Sequence, residues 1–204
     1  MVFIDDLAYS LFSISFAGFL LFYTVVSIYK SYKRKGKDFT EHLNGASIPL
    51  ALIGAYVFIM GLWGQFSWPL PGSYNILFYD PFVAFGIVLL SFSFVIRFKG
   101  RIDYAGFLGL MSGIMAIIYG IEGYGLGLTQ APLALLVMYF LYGIAGIFSY
   151  PVSLLLDRFP GTQKKFWKGW YYILVIFLAS LFLASLLAGF IGAAAIPSHL
   201  FSAP

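Results

Sequence analysis

The sequence predicts an all-α polytopic membrane protein with six transmembrane helices in one domain, residues 1–204. Hydrophobic residues make up 61% of the chain and charged residues 10%, whereas soluble domains carry about 25% charged residues. The mean hydropathy is +0.92. Six long runs contain no charged residue, and all twelve Lys and Arg residues fall in three short segments between these runs. Each run is read as a helix that crosses the bilayer.

The first three predicted helices are the runs Leu7–Tyr29, Ala46–Phe66 and Pro81–Ile96. At 1.5 Å per residue the first run is about 34 Å long, which is enough to cross a bilayer. The third run is the shortest. Asp80 precedes Pro81, and this pair is typical of a helix start, so we expect the third helix to begin there.

The last three predicted helices are Tyr104–Ile121, Ala131–Leu156 and Gly169–Ile196. The basic segments follow the first, third and fifth helices and therefore lie on one side of the membrane. Basic residues in short loops are retained in the cytoplasm, so we expect a multi-pass protein of the cell membrane with both termini outside. This topology and the attraction of anionic headgroups account for the net charge of +4, so no nucleic-acid partner is expected.

The second and fourth helices carry three glycines at the same spacing. These are Gly54, Gly61 and Gly64 in the second helix and Gly113, Gly120 and Gly123 in the fourth. The following helices begin near Pro81 or Pro132. This pattern predicts a parallel repeat of helices 2–3 and 4–5 about an axis normal to the membrane. Chance spacing in a chain with 22 glycines is the alternative.

Gly109 and Gly113 form a GxxxG pair, which lets two helix backbones approach closely. The contact is expected either inside one chain or between subunits. The abundance of glycine and alanine also predicts a homo-oligomer or a larger membrane complex.

Ionisable residues are absent from the middle third of every predicted span, which argues against a proton-coupled carrier or an ion pump. Asp80 and Glu122 lie at outer helix ends. Asp80 is read as a helix cap or as a site residue, and Glu122 is a site residue or a solvated carboxylate at a helix C-terminus, where the macrodipole disfavours an anion. The predicted outer mouth comprises Glu122, Asp80, Asn75, Trp63, Trp68 and Tyr74.

No cofactor, metal or catalytic centre is expected. The chain has no Cys, and its two histidines, His42 and His199, lie on opposite predicted sides. Five deep tyrosines need hydrogen-bond partners within the bundle, either along an uncharged polar pathway or across helix contacts: Tyr56, Tyr119, Tyr139, Tyr142 and Tyr150.

The stretch from Trp63 to Pro81, WGQFSWPLPGSYNILFYDP, resembles the signature of an uncharacterised, largely archaeal family of small polytopic membrane proteins. That resemblance implies a fold and no established activity. A looser similarity links the chain to the prokaryotic urea and amide channels, which share its length, its six spans and a Phe-Tyr-x-Pro start of the third span, here Phe78 to Pro81. Those channels carry tryptophan in the fifth span, where this chain has Tyr139 and Tyr142.

These observations predict a non-enzymatic membrane protein that forms a pathway for a small neutral or weakly ionised solute. The alternative is an accessory or scaffolding subunit of a larger membrane complex. A third hypothesis, an intramembrane enzyme acting on lipid, requires His199, Glu122 and Asp80 to converge at the outer face.

Overall fold

The computed structural model describes residues 6–33, 40–158 and 168–202, and this part of the chain is all-helical. Its six helices are α1 (Asp6–Lys33), α2 (Thr40–Ser67), α3 (Ser73–Arg97), α4 (Ile102–Gly125), α5 (Pro132–Arg158) and α6 (Lys168–Ser202). Each is long and apolar enough to cross a membrane. The predicted fold class is confirmed, and the chain is a multi-pass protein surrounded by a lipid bilayer.

The six helices form a closed ring. Each helix packs against its neighbours in sequence, and α1 also packs against α6. The most extensive contacts join α4 to α5 and α2 to α3, as expected for two hairpins. We call the side of the basic segments the inner side and the opposite side the outer side.

The start of α3 differs from the prediction. This helix begins at Ser73, so Asp80 and Pro81 lie inside it and Asp80 is not its cap. A proline inside a helix leaves the carbonyl four residues earlier without a donor, here Leu77. The Tyr139 hydroxyl of α5 donates to that carbonyl at 2.5 Å, and this bond allows the helix to pass through Pro81.

The connection from α2 to α3 is therefore shorter than predicted, residues 68–72. Asn75 is only 1% exposed and holds this turn against the end of α2. Its side-chain oxygen accepts from the Leu70 backbone N–H at 3.1 Å, and its amide donates to the Gly64 carbonyl at 3.0 Å. Gly72 has φ +55°, a conformation that glycine adopts without strain.

The predicted repeat is supported by packing inside the two hairpins. A side chain at Gly86 would collide with Phe58, and one at Gly143 would collide with Ile117, so each hairpin places a glycine of its second helix against a large residue of its first. Phe58 follows the first glycine of its triplet, Gly54, by the same number of residues as Ile117 follows Gly113.

Hydrogen bonds between the helices repeat as well. The Ser93 hydroxyl of α3 donates to the Ser47 carbonyl of α2 at 2.8 Å. In the second hairpin, the Ser149 hydroxyl of α5 donates to the Gly106 carbonyl of α4 at 3.1 Å. Ser47 and Gly106 are offset along the chain by the same number of residues as the two glycine triplets, which supports the predicted repeat.

The GxxxG pair lies in the contact between α4 and α5 of one chain. An added side chain at Gly109 would meet the Ser149 hydroxyl, and one at Gly113 would meet the backbone of Gly143 and Gly146. Of the two predicted uses of this pair, the structure places it in packing within the ring.

Candidate functional site

A cavity of about 150 Å³ lies in the middle of the ring, and all six helices contribute to its wall. It extends from Leu7 and Phe78 near the outer side to Ile28, Ile102 and Leu156 near the inner side. No Asp, Glu, Lys, Arg or His of the described ranges lines it. The described wall of the cavity is therefore uncharged along its whole length.

Four hydroxyl groups of the wall, including that of Ser149, are bonded to backbone carbonyls. Thr24 donates to the Leu20 carbonyl and Ser153 to the Ser149 carbonyl, each at 2.7 Å. Tyr139 donates to Leu77. Because backbone carbonyls already accept from them, these hydroxyls offer little polarity to the cavity, whose surface is largely apolar.

Two buried hydroxyl groups of the wall, those of Ser10 in α1 and Tyr142 in α5, have no hydrogen-bond partner among the described residues. Tyr142 packs on the Phe85 ring with the centroids 5.9 Å apart. Ser185 lies beside Tyr142, but its own hydroxyl donates to the Leu181 carbonyl, and the Tyr142 oxygen makes no bond of ordinary geometry. A buried polar group without a partner is costly, so each is a candidate anchor for a ligand.

A second candidate site, which we call the outer cluster, consists of Gln65, Asp80 and Tyr119. The Gln65 amide donates to one Asp80 carboxylate oxygen and the Tyr119 hydroxyl donates to the other, each at 2.8 Å. The half-buried Asp80 therefore joins α2, α3 and α4 and makes no ion pair with any residue in the described part of the chain. The bond from Tyr119 crosses from one hairpin to the other.

The aromatic residues of the predicted outer mouth pack locally. The Trp63 ring meets Tyr79 edge to face, with the centroids 6.5 Å apart. The Tyr74 ring packs on Phe78 at 4.9 Å. Trp68 is half exposed in the turn between α2 and α3 and has φ +50°. Trp63, Trp68 and Tyr74 do not line the central cavity, whereas Phe78 and Tyr79, against which two of them pack, do.

The polar residues of the predicted mouth have separate surroundings. Asp80 belongs to the outer cluster, and the Asn75 side chain accepts a hydrogen bond from the turn before α3. Glu122 is exposed near the end of α4 and makes no side-chain hydrogen bond or ion pair with a residue in the ranges that the structure covers. The structure thus brings Asp80 to Gln65 and Tyr119.

Sequence reasoning missed a pair of carboxylates on the inner side. Both oxygens of Asp157 accept backbone N–H groups at the start of α4, from Ile102 at 3.0 Å and from Asp103 at 2.9 Å. Asp103 is buried and forms an ion pair with Arg101, and this hydrogen bond raises the pKa of the Arg101 guanidinium. Asp157 stands one residue before the end of α5, so only the hairpin geometry reveals it as a cap of α4.

The described ranges contain no group of three or more His, Cys, Asp or Glu side chains that would hold a metal ion. His42 bonds to the Ser31 hydroxyl of α1 at 2.8 Å. The side chain of His199, which the lipid-enzyme hypothesis requires, lies outside the described part.

Residues 1–202, which include all six helices, match the model of a family described as "Protein of unknown function (DUF981)". No curated protein and no solved structure matches the chain. The expectation of a membrane-protein family without an established activity is thus confirmed. An archaeal origin and a likeness to urea and amide channels stay predictions.

Proposed function

The chain belongs to the DUF981 family, and we propose that it forms a pathway for a small neutral solute through the middle of its six-helix ring. The observation that carries this proposal is the uncharged central cavity, to which every helix contributes. It lies between the two hairpins and reaches towards both sides of the membrane.

The chemistry of the wall favours neutral solutes over ions. Moving an ion into an apolar space without a partner costs far more than moving a neutral molecule, because the lost hydration is not replaced. A passing amide, amine or alcohol loses its hydrogen bonds to water, and the unpartnered hydroxyls of Ser10 and Tyr142 would each replace one of them.

The outer ends of the hairpins provide a place where access is controlled. Tyr119 bonds to Asp80 and Tyr139 bonds to Leu77, and both bonds join the first hairpin to the second near the outer side. Parting the hairpins there would open the cavity outward. Rocking of repeated units around a central site is a general mode of alternating access.

The test is solute flux into liposomes that contain the purified protein. Acetamide, urea and glycerol uptake is followed by stopped-flow light scattering, and potassium flux is measured in the same vesicles. We expect the wild type to accelerate uptake of at least one neutral solute and not of potassium. Ala116 lines the cavity, so Ala116→Phe should fill part of it and abolish the accelerated uptake. Ile118→Phe, on the exposed face of the same helix, is the control and should retain it.

The accessory-subunit role is the second candidate, and a specific observation favours it. The wall hydroxyls that bond to the backbone, such as those of Thr24 and Ser153, do not contribute to a polar route through the cavity. If wild-type vesicles take up none of the three solutes faster than empty vesicles, the pathway proposal fails. Stable co-purification of a second membrane protein with the full chain would then support the accessory role.

A further inference from the structure

We propose that a groove on the lipid-facing side of α2 and α3 binds one anionic phospholipid of the inner leaflet, with its phosphate on Arg97. The groove has a volume of about 190 Å³ and is lined by Ile48, Ala51 and Leu52 of α2 and by Phe94, Arg97 and Phe98 of α3. It lies on the outside of the ring and is separate from the central cavity. This inference does not depend on the proposed pathway.

The floor and walls of the groove suit a hydrocarbon chain. Ile48 is 62% exposed, Leu52 69% and Phe98 78%, so their side chains are turned out of the ring. At the floor, the Ser93 hydroxyl donates to the Ser47 carbonyl and the Ser47 hydroxyl donates to the Asn44 carbonyl. Because these hydroxyls are already bonded, the groove offers an acyl chain apolar contact along its length.

Arg97 supplies the charge at the inner end of the groove. It lies in the last turn of α3, where the membrane meets water, and its side chain is exposed. It makes no ion pair with a residue in the described ranges, and Lys99 lies exposed two residues further on. A guanidinium binds a phosphate through paired N–H groups, so an acyl chain in the groove would place its headgroup within reach of a matching cation.

The second hairpin shows that this groove is not a general consequence of the fold. Gly106 and Ser149 of the second hairpin correspond to Ser47 and Ser93 of the first. The residues that follow them, Phe107 and Tyr150, therefore correspond to Ile48 and Phe94.

The rings of Phe107 and Tyr150 pack edge to face with their centroids 5.8 Å apart and occupy the corresponding space. Ser153 stands where the first hairpin has Arg97. The first hairpin thus combines an open groove with Arg97 at its end, whereas two rings fill the corresponding space of the second.

The test is native mass spectrometry of the purified full chain, titrated with palmitoyl-oleoyl phosphatidylglycerol or with the matching phosphatidylcholine. We expect the wild type to bind one phosphatidylglycerol more tightly than phosphatidylcholine. Arg97→Gln should weaken phosphatidylglycerol binding about fivefold, the effect of one basic residue at a membrane surface. Arg158→Gln, at the end of the second hairpin, is the matched control and should leave the affinity unchanged.

A second variant tests the groove itself. Ala51→Phe fills it, and we expect this variant to lose the tight site for both lipids while keeping its thermal unfolding temperature within a few degrees of the wild type. Equal losses in Arg97→Gln and Arg158→Gln would overturn the proposal. So would retention of the tight site in Ala51→Phe, or a dimer in the wild type that this variant dissociates, since a second copy of the chain would then occupy the groove.

Discussion

At the scale of single residues, Pro81 and Tyr139 form one unit although they belong to different hairpins. Pro81 deprives the Leu77 carbonyl of its donor, and the Tyr139 hydroxyl replaces it. Sequence reasoning predicted that Tyr139 needs a partner and that Pro81 begins a helix. The first prediction is confirmed and the second is wrong, because the replacement donor comes from a distant residue that no local pattern reveals.

Loss of the hydroxyl should change the free energy of unfolding differently at Tyr139 and at Tyr142. Tyr139→Phe leaves the Leu77 carbonyl without a donor and should lower the free energy of unfolding by about 1 kcal/mol. Tyr142→Phe removes a hydroxyl without a partner and should not lower it. Thermal unfolding of both variants in one detergent decides this. A larger loss in Tyr142→Phe than in Tyr139→Phe would contradict the assigned hydrogen bonds.

At the scale of helices, the ends were harder to predict than the spans. A long uncharged run marks a span because every backbone polar group in lipid must be bonded within its own helix. This constraint predicted all six helices. The ends depend on contacts made after folding, such as Asn75 with Gly64 before α3 and Asp157 with the first N–H groups of α4.

The outer cluster should stabilise the contact between α3 and α4. Asp80→Ala leaves the Gln65 amide and the Tyr119 hydroxyl without their acceptor, and we expect it to lower the free energy of unfolding by about 2 kcal/mol, the usual range for hydrogen bonds to a charged group.

Glu122→Ala is the control, since this exposed carboxylate has no such bonds in the described ranges, and it should have no measurable effect. If both variants unfold at the wild-type temperature, the outer cluster does not hold the helices together.

At the scale of the whole molecule, the sequence predicted the six-helix bundle but not the cavity. Hydropathy and glycine spacing are local signals and can be read along the chain. The cavity is enclosed by residues from all six helices, and its two free hydroxyls, on Ser10 and Tyr142, are separated by most of the chain. Among the predicted mouth residues, Asp80 has a partner that depends on the closed ring, since Tyr119 belongs to the second hairpin. Trp63, Tyr74 and Asn75 have partners within the hairpin α2–α3.

The orientation of the ring in the membrane is testable with single cysteines, since the chain has none of its own. Ser67 and Lys99 are both exposed and lie at opposite ends of the hairpin α2–α3. If the basic side is cytoplasmic, an impermeant maleimide should label Ser67→Cys in intact cells and label Lys99→Cys only after lysis. The reverse labelling would show that the basic side faces outward.

The measurement that tests the central claim most directly is the access of small reagents to a cysteine in the cavity wall. The cysteine replaces Ala116, and the vesicles are treated with methyl methanethiosulfonate, which is neutral, or with a trimethylammonium analogue, which is charged. A neutral pathway predicts rapid modification of Ala116→Cys by the neutral reagent, slow modification by the charged one, and protection by the solute that the protein transports. It also predicts little reaction of Ile118→Cys on the lipid-facing side of α4. Equal reactivity of the two cysteines with the neutral reagent, or no reaction at Ala116→Cys, would contradict a pathway through the centre of the ring.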